Sequence, residues 1–485
     1  MRTRRSVAVG MTAVICSATL GGCVVGPNYK GPPATARETS AFRRGDASTP
    51  ADKPVARWWT ALRDPELDSL IEAALKNSPS VDAAEARLRQ ARAQLRGQRL
   101  NRLPSTGASA LYLRTRNVNS LLGSSSGGNA GSSGSSGALN LYAVGFDATW
   151  ELDFFGASAR AVEAASAAAQ VSEAHLADVR VSLSAEVGDA YVQLRDAQAR
   201  LALTHRNVDI DQHLLQLYEL RRSGGTASEL DVTRIVNQLD TTRATLAPLR
   251  AAVTEQLDRL AVLTGHTPGA LDAELASAAP TPQPPDHVAI GDPAALLRRR
   301  PDIVAAERTL AQRTAVVGEN VAAYFPRVNL LGEVGFASLT PGALLNSGNF
   351  SYILAPVLQW SPWDFGRNHA KVDAARAGRD EAEDDYRQTV LEALRDAEDS
   401  LARYSEQRNS VADLARARAS AQKVYALTEL RLRGGTADTT DVLDADTRRI
   451  QADIAYQQAL AGLTEDYVAL QKSLGLGWVD PLARN

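Results

Sequence analysis

Hydrophobic and polar positions along this chain follow two regimes, and both regimes come round twice. From 157 to 223 there is no proline and a single glycine, Gly188; from 367 to 433 only Gly378 interrupts. In the first stretch Val187, Leu194, Leu201, Val208 and Leu215 recur every seven residues with Ala190 and Ala197 beside them. In the second, Val390, Ala397, Tyr404 and Val411 do the same, with Leu394 and Leu401. A seven-residue period held this long predicts a coiled-coil seam, not merely one amphipathic face. At 1.5 Å per residue each helix would be about 100 Å long, beyond the span of a globular domain. Shorter helices are expected over 79–103 and 301–325, and again from Thr226 to Gly265 and from Thr436 to Gly475. Their summed length is close to that of the long helix, so a short pair can stack end to end beside it.

Between the helices the period changes to two. Strands are expected over 105–116, 139–152, 327–337 and 350–361. In "VNLLGEVGF" the side chains of Val328, Leu330, Val334 and Phe336 fall opposite Asn329, Glu333 and Gly335; Tyr142, Val144, Phe146 and Trp150 likewise oppose Ala143, Gly145, Asp147 and Thr149. An apolar face against a polar one over about ten residues suits a membrane strand, and Trp150, Trp360 and Trp363 near the strand ends suit an interface. Four strands cannot close. Sheet edges facing hydrocarbon would leave backbone groups unpaired, so strands must be borrowed from other copies. Two chains give eight strands with a filled interior, and three give about twelve with a lumen. A homotrimer sharing one barrel is therefore expected.

The two halves align with each other. "PSVDAAEARL" at 79 lies over "PDIVAAERTL" at 301, and from Trp150 onward Trp360, Phe365-Gly366, Gly434-Gly435-Thr436 and Gly475 match Trp150, Phe155-Gly156, Gly224-Gly225-Thr226 and Gly265. The tract "GSSSGGNAGSSGSSG" accounts for the extra length of the first half and reads as a loop extension. The expected organisation is a first repeat over 58–278, a Pro-rich linker over 279–293 and a second repeat over 294–485.

The N-terminus has its own logic. Arg2, Arg4 and Arg5 precede an apolar stretch over 7–20, the layout of a signal peptide spanning 1–22. "LGGC" resembles a bacterial lipobox, which makes Cys23 the lipidated first residue of the mature chain and 23–57 an extended tether. Several acyl chains anchor a protein firmly, at roughly 0.8 kcal/mol per buried methylene. Val24 after the cysteine, in place of Asp, resembles the outer-membrane class. The chain has two cysteines; Cys16 leaves with the signal, so neither a disulfide nor a cysteine metal site is expected.

Composition narrows the function. Formal charge is -3 with Arg and Lys dispersed, so no nucleic-acid footprint is present. "GSSSG" at 123–127 satisfies a nucleophile pattern only inside a low-complexity tract, and Asp364-Phe365-Gly366 lacks the phosphate loop and catalytic-loop partners of a kinase. The histidines show no metal-ligand spacing. No catalytic residue, metal or cofactor beyond the lipid on Cys23 is expected.

"CVVGPNYKGPP", "RWWTALRDPELDSLIEAALKNSPSV", "LLRRRPDIVAAER" and the doubled Gly-Gly-Thr with "DVLDA" together resemble the TolC-like outer-membrane efflux proteins, in the lipoprotein branch serving resistance-nodulation-division pumps. The resemblance covers essentially the whole mature chain. It implies a trimeric outer-membrane β-barrel continued by an α-helical coiled-coil barrel across the periplasm, joined by an adaptor to an inner-membrane pump, and a passive conduit for small molecules. Each Gly-Gly-Thr (Gly224, Gly225, Thr226; Gly434, Gly435, Thr436) would turn a descending helix back at a hairpin tip, with glycine supplying positive φ. The resemblance places Asp441 and Asp444 at the periplasmic aperture, with Asp231 as the first-half counterpart; the alternative for each acid is an ordinary helix N-terminal residue. A Tyr and Arg latch found in some relatives falls on Leu432 and Ala437 here and does not carry over. The competing reading of the whole chain is a lipid-anchored periplasmic coiled-coil scaffold or adaptor, for which lipid-facing strands would serve no purpose.

Overall fold

A computed structural model describes residues 24–33, 42–45, 55–115, 139–293, 296 and 299–478. The signal peptide, Cys23, most of the tether and the Gly/Ser tract lie outside the described residues. The elements are α1 (Pro65–Asn77), α2 (Pro79–Leu100), β1 (Ser105–Thr115), β2 (Leu139–Leu152), α3 (Ala157–Ser223), α4 (Glu229–Ala244), α5 (Leu246–Leu263), α6 (Pro301–Ala322), β3 (Arg327–Ser338), β4 (Phe350–Gln359), α7 (Arg367–Arg433) and α8 (Thr439–Ser473). A 3-10 turn over Trp58–Leu62 precedes α1. Both long helices are unbroken over 67 residues, as the absence of proline allows.

Two differences from expectation have local causes. The element α1 begins where Asp64 accepts from the backbone N–H of Glu66 and Leu67 at 3.0 and 3.1 Å, with Pro65 at the first helical position, an N-terminal signal plain in "RDPELDSL". The first-half helix expected from Thr226 to Gly265 is interrupted at Thr245, between α4 and α5, whereas α8 runs unbroken. Pro248 has no N–H to offer the Ala244 carbonyl, so the ladder fails there.

The described residues divide into two compact units, and neither is a sequence half: one takes 24–32, 90–115, 139–170 and 308–383, the other 33, 42–45, 55–89, 171–293, 296, 299–307 and 384–478. The first unit holds the sheet. Its order is β1-β2-β3-β4, every neighbouring pair antiparallel, with β1 and β4 as edges among the described residues. Register aligns Ala108, Phe146, Val334 and Tyr352 in one row and Gly107, Asp147, Glu333 and Ile353 in the next. Successive rows face opposite ways, so one face carries aromatic and aliphatic side chains and the other carries two carboxylates directly across from each other. The apolar face is bare in the single chain: Phe146 is 68% exposed and Tyr352 75%. The indole N–H of Trp150 donates to the Arg102 carbonyl at 2.9 Å, and that of Trp360 to the Tyr324 carbonyl at 3.1 Å.

The same unit grips the segment just after Cys23. Arg160, 2% exposed, donates to the carbonyls of Val25 and Gly26 at 3.1 and 3.2 Å and to Asn28 Oδ1 at 2.7 Å, while Glu163 takes its third nitrogen at 2.7 Å. A Cβ on Gly26 would overlap Gly318 Cα, and one on Gly318 would crowd the Arg160 side chain at 2.7 Å, so glycine at 26 permits the close approach of α6 and glycine at 318 leaves room for the arginine. Within 24–33 this arginine thus holds Val25, Gly26 and Asn28.

The second unit is a helical bundle. Its core joins Trp58, Trp59, Leu67 and Ile71 to Tyr191, Leu194, Leu260, Tyr404, Tyr467 and Val468. Buried Arg195 donates through its two terminal nitrogens to Glu66, to Gln198 at 2.8 Å and to the Ser277 carbonyl at 2.7 Å, while its Nε finds no partner. Val187, Leu194 and Val208 of the predicted seam are buried, and Leu201 and Leu215 pack beside Val208. The Pro-rich linker lies against α8, where Gln457 donates to Thr281 Oγ1 at 2.8 Å and Thr464 to the Pro282 carbonyl at 2.7 Å. Arg300 braces the start of α6, gripping Asp302 through both carboxylate oxygens at 3.0 and 2.6 Å and donating to the Ser473 carbonyl at 3.0 Å.

Candidate functional site at the hairpin tips

Each long helix ends in the same closed turn. In α3 the N–H of Gly225 bonds to the Arg222 carbonyl at 2.9 Å and that of Thr226 to Arg221 at 2.8 Å; in α7 Gly435 bonds to Leu432 at 3.0 Å and Thr436 to Arg431 at 2.9 Å. This nested pair, with φ of 73° at Gly225 and 70° at Gly435, is a Schellman motif. Positive φ is confined to the second glycine of each pair. Gly224 and Gly434 lie outside the left-handed region, and a methyl there would make only ordinary contacts at 3.6 Å or more.

The returning helices start on capping boxes. Ser228 accepts from the Asp231 N–H at 3.2 Å, and Asp231 accepts from the Ser228 N–H at 2.9 Å; Asp438 and Asp441 exchange the same bonds at 3.0 Å each. Asp231 and Asp441 therefore have their carboxylates engaged by backbone. The hydrogen bonds from Ser228, first its hydroxyl and then its N–H, hold the Asp231 carboxyl below the usual carboxylate range. Asp444, one turn beyond Asp441, is exposed on the surface of α8.

The tips also carry a link that sequence reasoning did not find. Arg221, in the last turn of α3, donates to Asp438 Oδ2 of the second hairpin at 2.6 Å, with the guanidinium 5.8 Å from the Tyr218 ring. The counterpart Arg431 instead donates to its own hairpin, to the Thr436 carbonyl at 3.0 Å. Arg221 in turn is the chief cause holding Asp438 below the ordinary carboxylate range. Within the first hairpin Arg222 pairs with Glu229 at 2.6 Å. The only signal in the sequence was a difference between repeats: the second hairpin has Asp438 where the first has Ser228.

Among the described residues, no helix is long and apolar enough to cross a membrane, and no three acidic, His or Cys side chains gather as metal ligands.

The outer membrane efflux protein family profile matches residues 70–266 and 293–476. The chain belongs to the outer membrane efflux protein family. It is 31% identical over 482 residues to the outer membrane protein OprJ of Pseudomonas aeruginosa, covering 98% of this chain and 97% of OprJ. Nodulation protein T of Rhizobium leguminosarum bv. trifolii is 28% identical over 480 residues, with 98% of each chain covered. Among solved structures, the outer-membrane channel OprN superposes with a TM-score of 0.84 at 33% identity, over 94% of this chain and 100% of that one. The open state of the Neisseria gonorrhoeae MtrE outer membrane channel gives 0.80 at 27% identity, over 94% and 98%. This efflux protein is accordingly an outer-membrane channel component, and the relatives are channel proteins, not enzymes.

Proposed function

We propose that three copies form one passive channel-tunnel, each chain giving four strands to a twelve-stranded barrel and its paired helices to a periplasmic coiled-coil barrel. The carrying observation is the two-faced sheet with two open edges. Leaving Phe146, Tyr352, Leu354 and Leu358 in water forfeits roughly 1.5–3 kcal/mol apiece, which lipid contact restores. Asp147 opposite Glu333 is a like-charge pair that a dry face would not tolerate and a watery lumen does. Edge strands are satisfied once neighbouring copies pair with them. Two internal repeats, 58–278 and 294–485 about the 279–293 linker, account for the shared tip geometry and for the matching Trp150 and Trp360 hydrogen bonds.

In this reading Cys23 bears the lipid after removal of 1–22, a periplasmic adaptor and an inner-membrane pump deliver small molecules, and three first and three second hairpins ring the lower opening. Asp444 is the aperture acid with its carboxylate available to passing cations, while Asp441 and Asp231 face the same opening from their capping boxes. The test is assembly and conductance. Detergent-extracted trimers that conduct in planar bilayers are expected; a monomer that leaves the membrane once Cys23→Ser removes the acyl chains, and conducts nothing, would overturn it.

A further inference from the structure

The heptad column that holds Ala190 and Ala197 continues down α3 into Thr204 and Asp211. That column thereby turns polar below Ala197, beside Val208 and Leu215, which stay apolar. Asp211 is 0% exposed. Its Oδ2 accepts the hydroxyl of Thr242 on α4 at 2.6 Å, and its Oδ1 has no hydrogen-bond partner. One turn earlier Asn207 is also buried, and its Oδ1 is unpartnered too. The charged groups of the surrounding elements are paired or stand at exposed positions. On α4, Arg243 pairs with Asp240 at 3.8 Å; on α8, Arg449 is held by Asp446 at 2.6 Å and by Asp453 at 3.3 Å; on α3, Arg206, Asp209 and His213 lie at exposed positions. Burial raises the Asp211 carboxyl above its ordinary range, and the Thr242 bond offsets this only in part.

The second hairpin is built otherwise. At the positions matching Thr204, Asn207, Asp211 and Thr242 it has Leu414, Ala417, Ala421 and Ala452. Its own buried acid, Asp453, takes Arg418 at 2.6 Å and Arg449 at 3.3 Å.

We propose that Asp211 is a proton-binding site that sets the tightness of the α3–α4 seam: protonated, it completes the packing of the first hairpin, and ionised, it loosens that hairpin and leaves the second unchanged. A neutral carboxyl offers the O–H donor that the orphaned oxygens of this seam lack, whereas a buried carboxylate without a counter-ion is strongly disfavoured. The proton comes from and returns to solvent. Because the folded carboxyl titrates above its unfolded value, the stabilisation is fully present below the ordinary value of 3.8 and is lost as pH rises through the raised one. That loosening widens an aperture rests on the channel reading above; the proton response of the seam does not, so the test reads the helices themselves.

Hydrogen–deuterium exchange on the full-length protein in detergent, at mildly acid and mildly alkaline pH and corrected for intrinsic exchange, compares peptides over 229–244 and 439–454. Exchange over 229–244 is expected to quicken on the order of fivefold at the higher pH, with 439–454 unmoved. Asp211→Asn, neutral and of the same shape, is expected to hold 229–244 at its slow rate at both pH values. An equal pH response in both peptides of the unaltered protein overturns the proposal without needing any variant, as does an Asp211→Asn protein that keeps the full response.

Discussion

Arg221 of the first hairpin and Asp438 of the second lie 2.6 Å apart, joining two tips that the backbone connects only through more than two hundred intervening residues. The bond does two jobs at one carboxylate, since Asp438 Oδ1 caps α8 while Oδ2 holds the arginine.

Asp438→Asn separates those jobs, because asparagine caps as well as aspartate and carries no charge. It is expected to leave α8 intact and to remove a link worth about 0.2–1 kcal/mol for a pair this exposed. Arg221→Ala should match it. Single-channel recordings are expected to show longer open times in both variants; unchanged gating would assign the pair to tip stability alone.

The same link fixes a pH dependence. The Asp438 carboxyl titrates below its ordinary value of 3.8, so its contribution is complete above that value and lost as pH falls through the lowered one. Tip closure by this bond is thus expected to stay level from neutral pH down to the ordinary carboxylate range. A bilayer titration of gating in Arg221→Ala against the unaltered channel checks it.

Only the second glycine of each tip is conformationally required. Gly225→Ala and Gly435→Ala are each expected to cost about 1–2 kcal/mol, the strain of a left-handed alanine. Gly224→Ala and Gly434→Ala should be neutral or stabilise by about 0.4–1 kcal/mol through the unfolded chain. Chemical denaturation of the four variants separates the two classes.

Asp444→Asn tests the aperture without touching a cap. It is expected to weaken blockage of the pore by multivalent cations while leaving thermal stability unchanged, and Asp441→Asn should alter both. Equal blockage in Asp444→Asn and the unaltered channel would remove the aperture role.

Arg160→Met removes the guanidinium that holds Val25, Gly26 and Asn28. Limited proteolysis is expected to cut within 24–33 faster in this variant than in the unaltered protein, because that stretch would lose three of its donors.

What could be read from the sequence was what proline and period control locally. The long helices end where Gly224 and Gly434 stand, and the strands begin and end within two residues of expectation, because alternation and breakers act through the backbone beside them. Pro248 was equally visible, yet a proline three residues into a helix reads as a start as readily as a break. Arg221, Asp211 and the pairing of β2 with β3 were hidden because each depends on a partner distant along the chain. Asp441 and Asp231 stood out in the sequence as candidate aperture acids, and the capping boxes give each of them the alternative use, at a helix N-terminus, that needs no aperture.

The interruption at Thr245 gives the two hairpins different mechanics. A rod with a joint yields at the joint, so any sideways load on the first return limb concentrates its curvature between Ala244 and Pro248, whereas the uninterrupted limb spreads the same load along its whole length and acts as a stiff lever.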